Sequence, residues 1–311
     1  MAIVSNQVNV DIVALGEPMV EFNQNSDGRM VQGFGGDTSN AAISAARQGA
    51  RTGYITRLGK DVFGDSIIEL WKRENIDVSE VGRDPIAQTG IYFVTHDDSG
   101  HHFSYYRRQS AATTIQPANL SPSYLANARI LHVSAISQAI SDSAADSVFS
   151  AIEIANANNT LVSYDTNLRL SLWPLHRARG VIHEAMSYCQ LALPSYDDAV
   201  ALTGLEQPEA IADFYLRLGV HTVALKLGSQ GVLVANSDQR RMITALKVDS
   251  IDANGAGDTF AGAFLAEISN DKTPFEAARY ANAAAALSTT RSGAVNAIPT
   301  RKEVEVFLQA R

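Results

Sequence analysis

Apolar residues in this chain fall into short runs separated by longer stretches of helical periodicity, most regularly from Arg129 onward. Ile130 to Ser134, Leu161 to Asp165, Leu191 to Pro194 and Thr222 to Lys226 have the length and composition of buried strands. Between them, Ser143 to Asn156, Arg177 to Tyr188 and Pro208 to Leu218 carry apolar residues at helical spacing. Such alternation predicts a mainly parallel sheet covered by helices on both faces. The N-terminal third starts the same way, with a strand at Val10 to Leu15 ended by Gly16 and a small-residue helix at Ala41 to Gln48 closed by Gly49. A strand at Arg51 to Leu58 and an amphipathic helix at Asp61 to Glu74 follow. The alternation is then interrupted. Glu17 to Gln24 is half-polar and extended before a turn at Asn25 to Gly28, and Thr89 to Thr95 and His102 to Arg107 flank the hairpin signal Asp97-Asp98-Ser99-Gly100. The expectation is one α/β domain over residues 1–311, with a small β-sheet inserted from about 17–34 and 88–110.

Composition narrows the class. With 311 residues, 46% of them hydrophobic, the chain can bury a substantial core. A net charge of −8 argues against nucleic acid as the main partner, because phosphate backbones need a basic face. The single cysteine, Cys189, excludes an intrachain disulfide framework and a thiolate metal cluster; it fits a reducing cytoplasm and a buried, apolar role. Met1 to Asn9 lacks a signal pattern and no run approaches a membrane span, so a cytoplasmic protein without a membrane partner is expected.

In parallel α/β sheets ligands bind at the carboxyl ends of strands, and polar clusters fall there. They are Asp165-Thr166-Asn167-Leu168-Arg169, Ser195-Tyr196-Asp197-Asp198 and Lys226-Leu227-Gly228-Ser229-Gln230-Gly231. A fourth stretch, Asp252-Ala253-Asn254-Gly255-Ala256-Gly257-Asp258-Thr259-Phe260, follows an expected strand at Lys247 to Ile251 and opens an Ala-rich helix. The unpaired amides of such a helix start, with the dipole and the close approach that glycine permits, make an anion site. Asp258 adds a carboxylate able to take a proton from a substrate hydroxyl; the alternative is a Gly-rich turn with an ordinary first-turn acid. Gly33-Phe34-Gly35-Gly36-Asp37-Thr38-Ser39-Asn40 is a second glycine-to-helix junction, too far from Gly16 and wrongly spaced for a dinucleotide fingerprint. His101 and His102 lack further ligands at metal spacing and are expected to be surface or packing residues.

Taken in order, Gly35-Gly36 with Asn40, Lys226 to Gly231 and DANGAGDTF resemble the signatures of the ribokinase-like (PfkB-type) carbohydrate kinases over nearly the whole chain. Within that family, Gly16-Glu17-Pro18, Tyr105-Tyr106-Arg107 with Ser110-Ala111, and Asp165 to Arg169 followed by Leu172-Trp173 are most similar to 2-keto-3-deoxygluconate kinases. The resemblance implies a ribokinase-like fold whose small β-sheet is a lid, and ATP-dependent phosphorylation of the C6 hydroxyl of a sugar acid, with Mg²⁺. It assigns Asp258 as the base and the amides of Gly255, Ala256 and Gly257 as stabilisers of the transferring phosphoryl group. Gly36, Asn40, Tyr92, Tyr105, Arg107 and Arg169 would hold the sugar acid, the arginines pairing with its carboxylate. Asn167, Lys226, Gly228, Ser229, Gly231 and Asn282 would border the nucleotide, with Asn282 against the adenine. Ser195 and Asp198 replace the family's Asn-x-x-Glu, leaving Asp198 as the metal-side carboxylate. Ala253 stands where relatives have Thr or Pro, and Ala294 where some sugar-acid kinases have an acid. A neutral-sugar kinase of fructokinase or ribokinase type, and a catalytically silent sugar-binding module, fit the same signatures. Relatives pair their lids, so a homodimer is expected.

Overall fold

The computed structural model describes residues 10–25, 27–97 and 100–310, apart from the side chain of His101. The expectation for Met1 to Asn9 and part of both expected turns, Ser26, Asp98 and Ser99, lie outside the described residues. Two sheets organise the chain. The larger has nine strands: β1 (Ile12–Leu15), β4 (Thr52–Gly59), β5 (Val81–Asp84), β8 (Ile130–Ser134), β9 (Leu161–Asp165), β10 (Leu191–Ala192), β11 (Thr222–Lys226), β12 (Gly231–Asn236) and β13 (Arg240–Thr244). Their order is β13-β12-β11-β10-β9-β8-β1-β4-β5, parallel except for the hairpin-linked β11, β12 and β13. The smaller sheet contains β2 (Met19–Gln24), β3 (Met30–Gly35), β6 (Ile91–Asp97) and β7 (Gly100–Tyr106), in the order β3-β2-β6-β7. It is two antiparallel pairs joined through a parallel β2–β6 pairing.

Burial on both faces explains the near-continuous apolar strands. Because successive strand side chains point to opposite faces, Val13 and Leu15 of β1 enter one core cluster while Ile12 enters another. The first cluster packs under the helices Asp142–Ala157, Leu175–Met186 and Pro208–Leu218. The second packs under Ala256–Ser269 and Pro274–Ser288, whose alanines let helices lie close to the sheet. Cys189 is buried as expected. No helix among the described residues is long and apolar enough to cross a membrane.

The structure corrects several expectations. Lys247 to Ile251 is not a strand: the chain leaves β13 at the sheet edge and runs beside the cleft without strand structure before the Ile251 amide donates to the Thr289 carbonyl. Val248 and Ile251 are β-branched residues of the kind strands favour, but the run does not add to the edge that β13 forms. The short edge strand β5 and the β12–β13 hairpin were not expected, and the strand at Leu191 shrinks to two residues. The pairing of β5 with β4, and of β10 with its neighbours, joins residues remote in the chain, about which local pattern carries little information. The β12–β13 hairpin, by contrast, is local and is hidden by the polar, exposed composition of β13.

Candidate active site

A cleft of about 2290 Å³ opens over the carboxyl ends of the central strands and beneath the small sheet. Two helix N-termini meet in it. Gly255 caps the helix Ala256–Ser269 in the left-handed conformation, φ 74°, a turn a side chain would strain. Gly36 caps the helix Asp37–Arg47. The two helices touch at Gly262, where a Cβ would collide with the Ala41 carbonyl oxygen. The Ser44 hydroxyl donates to the Thr259 carbonyl at 2.8 Å and fixes the register of the pair. That approach sets Asn40 against Asp258, and the Asn40 amide donates to Asp258 Oδ2 at 2.8 Å.

Asp258 lies at the focus of the cleft. Removal from bulk water, with the charges of Asp37 and then Asp165 nearby, pushes its pKa up to about 7, against the opposing hydrogen bond from Asn40 and charge of Lys226. A carboxylate with that pKa is a stronger base than a free one, is about half deprotonated near pH 7 and is largely deprotonated only above it. The same cleft holds buried polar atoms without partners among the described residues: Asp37 Oδ1 and Asn40 Oδ1 beside Asp258, and Arg107 Nε on the side of the small sheet. Such groups are costly to leave unpaired, so their convergence marks a place for a polar ligand.

Every residue expected from the sequence to form the site lines this one cleft. On the side toward the small sheet, Tyr92 is buried, donates to Glu21 Oε2 at 2.5 Å and packs its ring 5.5 Å from that of Tyr105. Burial, then the Glu21 carboxylate, pushes the Tyr92 hydroxyl far above its ordinary pKa, so it is a neutral hydrogen-bonding group. Arg107 is neither solvated nor free, since it forms an ion pair with the fully buried Glu17 carboxylate. Arg169 is exposed at the cleft and, among the described residues, donates to its own neighbour's carbonyl, that of Leu168.

The opposite side of the cleft is built from β11, its following turn and the helix Pro274–Ser288. Lys226 Nζ bonds Asp165 Oδ2 at 2.6 Å and lies 3.6 Å from where a Cβ on Gly257 would stand, so an ammonium overlooks the motif turn. Gly228, Ser229 and Gly231 shape an open backbone loop. Two assignments change character here. The Ala256 amide closes a turn on the Ala253 carbonyl at 3.2 Å, which leaves Gly257 and the turn's other amides as the better anion donors. Asn282 donates to the Thr244 carbonyl at 2.8 Å, pinning the hairpin strand to the helix, so one of its two amide N–H donors is already committed.

Asn167 bonds Asp37 Oδ2 at 2.9 Å and so belongs to the floor joining the two sides. One oxygen of Asp198 accepts from Thr166 Oγ1 at 3.1 Å and the Leu168 amide at 3.0 Å, which organises the loop after β9. No group of three or more His, Cys, Asp or Glu among the described residues is arranged to hold a metal ion. His102 is exposed and pairs with Asp97, as a surface residue.

Sequence reasoning missed Asp37 and Glu17 as working groups and did not single out Arg108, which also lines the cleft. For Asp37 a signal existed. It is a first-turn acid after a glycine pair, the same grammar that marked Asp258. For Glu17 the signal was partial: it stands in the Gly16-Glu17-Pro18 stretch after the first strand, but its partners lie 90 and 93 residues away in sequence.

Known proteins give this arrangement a setting. Residues 9–301 match the pattern of the pfkB family carbohydrate kinases. The chain is 36% identical to a 2-dehydro-3-deoxygluconokinase of Thermoproteus tenax, covering 97% of this chain and 95% of that protein. It is 30% identical to a probable fructokinase-4 of Arabidopsis thaliana, covering 96% of each. A putative ribokinase II from E. coli, solved in complex with ATP and Mg²⁺, superposes with a TM-score of 0.89 at 25% identity over 97% of this chain and 100% of that one. With the ribokinase-like sheet, the paired helix starts and the match over nearly its full length, the chain belongs to the pfkB family of carbohydrate kinases, phosphotransferases that act on an alcohol group.

Proposed function

We propose that this kinase transfers the γ-phosphoryl group of ATP to the terminal C6 hydroxyl of 2-keto-3-deoxygluconate or a close sugar acid. The observation that carries the proposal is the set of unpartnered buried atoms in the cleft that holds Asp258, from Asp37, Asn40 and Arg107, with Arg169 at the same cleft. Asp37 and Asn40 present acceptors to sugar hydroxyls, and the two arginines present donors suited to a carboxylate. The similarity to a 2-dehydro-3-deoxygluconokinase supports the same substrate class.

In this mechanism the sugar hydroxyl gives its proton to Asp258 as its oxygen attacks the γ-phosphorus, and the bond to ADP breaks in line. The motif turn amides and the Lys226 ammonium stabilise the charge on the transferring group. The Lys226–Gly231 turn and Asn282 border the nucleotide. The second oxygen of Asp198, with Asp165, would be the carboxylates to hold a Mg²⁺ bound with ATP, which would offset the charge of the phosphates. The small sheet closes over the sugar with Tyr92, Tyr105 and Phe103, excluding water that would otherwise accept the phosphoryl group. Its exposed Met30, Val31 and Tyr106 offer apolar surface for pairing two lids into a dimer.

A neutral sugar is the second reading. It is favoured by the neutralisation of Arg107 by Glu17, by Ala294 beside Gly255, and by the 30% identity to a probable fructokinase. A coupled ATP assay over a panel of 2-keto-3-deoxy sugar acids, ketoses and pentoses tests both. A kcat/KM for the sugar acid at least about tenfold above fructose is expected, a preference of about 1.4 kcal/mol. Preference for fructose overturns the sugar-acid assignment. Arg107→Ala is expected to weaken sugar acids more than fructose, and equal losses would show that Arg107 does not read the carboxylate.

A further inference from the structure

Glu17 follows β1 at the floor of the sugar side of the cleft, and its side chain has no exposed surface. One carboxylate oxygen accepts from the Ser110 hydroxyl at 2.5 Å and the other from Arg107 Nη2. Gly90, at the approach to β6, packs so closely that a Cβ there would lie 3.0 Å from the same carboxylate. The geminal arrangement is rigid: a buried anion, a neutral donor on one oxygen and the guanidinium on the other. Arg107 keeps its Nε buried and unpartnered, while its charge is already balanced. Arg169 forms no ion pair among the described residues, but it is exposed and therefore screened by solvent.

Resting on the sugar-acid reading of the site, we propose that Glu17 is a specificity-determining residue that neutralises Arg107 and thereby weakens the pocket's preference for an anionic sugar. The physical reason is the range of Coulomb forces in a site sheltered from water. A ligand carboxylate bound to Arg107 is attracted by the guanidinium at contact distance but repelled by the Glu17 carboxylate only one guanidinium width further away. That repulsion falls off no faster than the inverse of distance, so it cancels much of the attraction. A neutral ligand oxygen on Arg107 Nε takes the hydrogen bond and does not meet the repulsion. Glu17 also fills, in the empty enzyme, the role of counter-ion that a substrate carboxylate would otherwise have to take, which keeps a buried arginine from standing alone. The pocket is thus set to accept an acid without holding it so tightly that the phosphorylated product is retained.

The test uses calorimetric dissociation constants for 2-keto-3-deoxygluconate and for fructose, measured on the full-length enzyme. Glu17→Gln keeps the shape and lets the amide oxygen accept from Arg107 while its nitrogen donates to Ser110. This substitution is expected to shift the acid-to-fructose affinity ratio toward the acid by about tenfold. Ser110→Ala, which removes a neutral contact to the same carboxylate, should leave the ratio within about twofold. An unchanged or lowered ratio in Glu17→Gln, or an equal shift in Ser110→Ala, overturns the proposal. If Glu17→Gln does not fold, the paired replacement Glu17→Gln with Arg107→Met carries the test, because no lone buried charge is left. Because that pair carries no net charge, its removal should leave the acid-to-fructose ratio within about threefold of the native enzyme, and a fall of about tenfold or more overturns the proposal. Should the native enzyme turn over fructose and not the acid, the assignment of substrate fails, yet the shift in binding ratio still decides the role of Glu17.

Discussion

Asp258 is one carboxylate with two consequences. Burial, and then its acidic neighbours, push its pKa up to about 7 in the free enzyme. The kcat/KM for the sugar is therefore expected to rise through about pH 7 and level off above it, measured as a pH–rate profile with ATP saturating. Asp258→Asn should lower kcat by about 10²–10⁴, the range for loss of a general base, with sugar affinity nearly unchanged; near-normal turnover would remove Asp258 from that role. Its raised pKa also affects folding. Between the ordinary aspartate value of 3.8 and about 7, the folded protein holds a proton that the unfolded chain has released, so stability falls as pH rises through that window. The deficit is complete above pH 7. Asp258→Asn is then expected to melt at a higher temperature than the native enzyme at pH 8, with the difference vanishing near pH 3; calorimetry at both pH values checks the sign. That the residue is an acid at a glycine-rich helix start was legible in the chain. Its pKa was not, because Asp37 and Asp165 reach it only through the fold.

At the scale of elements, the site depends on two helices lying closer than side chains normally allow. Gly262 faces the Ala41 carbonyl, and the contact brings the Asn40 amide to Asp258. Gly262→Val should force the helices apart, at a cost of about 1–3 kcal/mol, and reduce kcat because the Asn40 bond is lengthened. Chemical denaturation and steady-state kinetics on the same variant read both effects, and a drop in stability without a drop in kcat would show that the alignment of Asn40 does not matter. The Ala-rich pattern made the helix foreseeable, and its small residues hinted at close packing. The partner was not foreseeable, since Ala41 and Gly262 are far apart in sequence. The run from Lys247 to Ile251 makes the opposite point. Its β-branched residues suit a strand, but strand formation requires pairing with a neighbour, and the chain here turns along the cleft instead of adding to the edge formed by β13.

For the whole molecule, function turns on how the small sheet and the large one face each other across the cleft. The strands β2 and β3 leave after β1, and β6 and β7 leave after β5, so the two parts of the small sheet come from separate excursions of the chain. If the lid closes on ligand, hydrogen exchange across Ile91 to Tyr106 should slow when a sugar acid and a non-hydrolysable ATP analogue are added together, and slow less with either alone; equal protection in all states would show a lid already closed. The order of strands and helices, the glycine-to-helix junctions and the resemblance to carbohydrate kinases were determined by the sequence itself, because buried strands, helix starts and anion turns are encoded by neighbouring residues. The tertiary structure alone decided which charges are spent inside the protein and which remain for a ligand. It paired Glu17 with Arg107 and Lys226 with Asp165, and it left Asp37, Asn40 and Arg107 with open polar atoms in the cleft that holds Asp258. Electrostatics at a binding site depends on distances between residues remote in the chain, and only folding sets those distances.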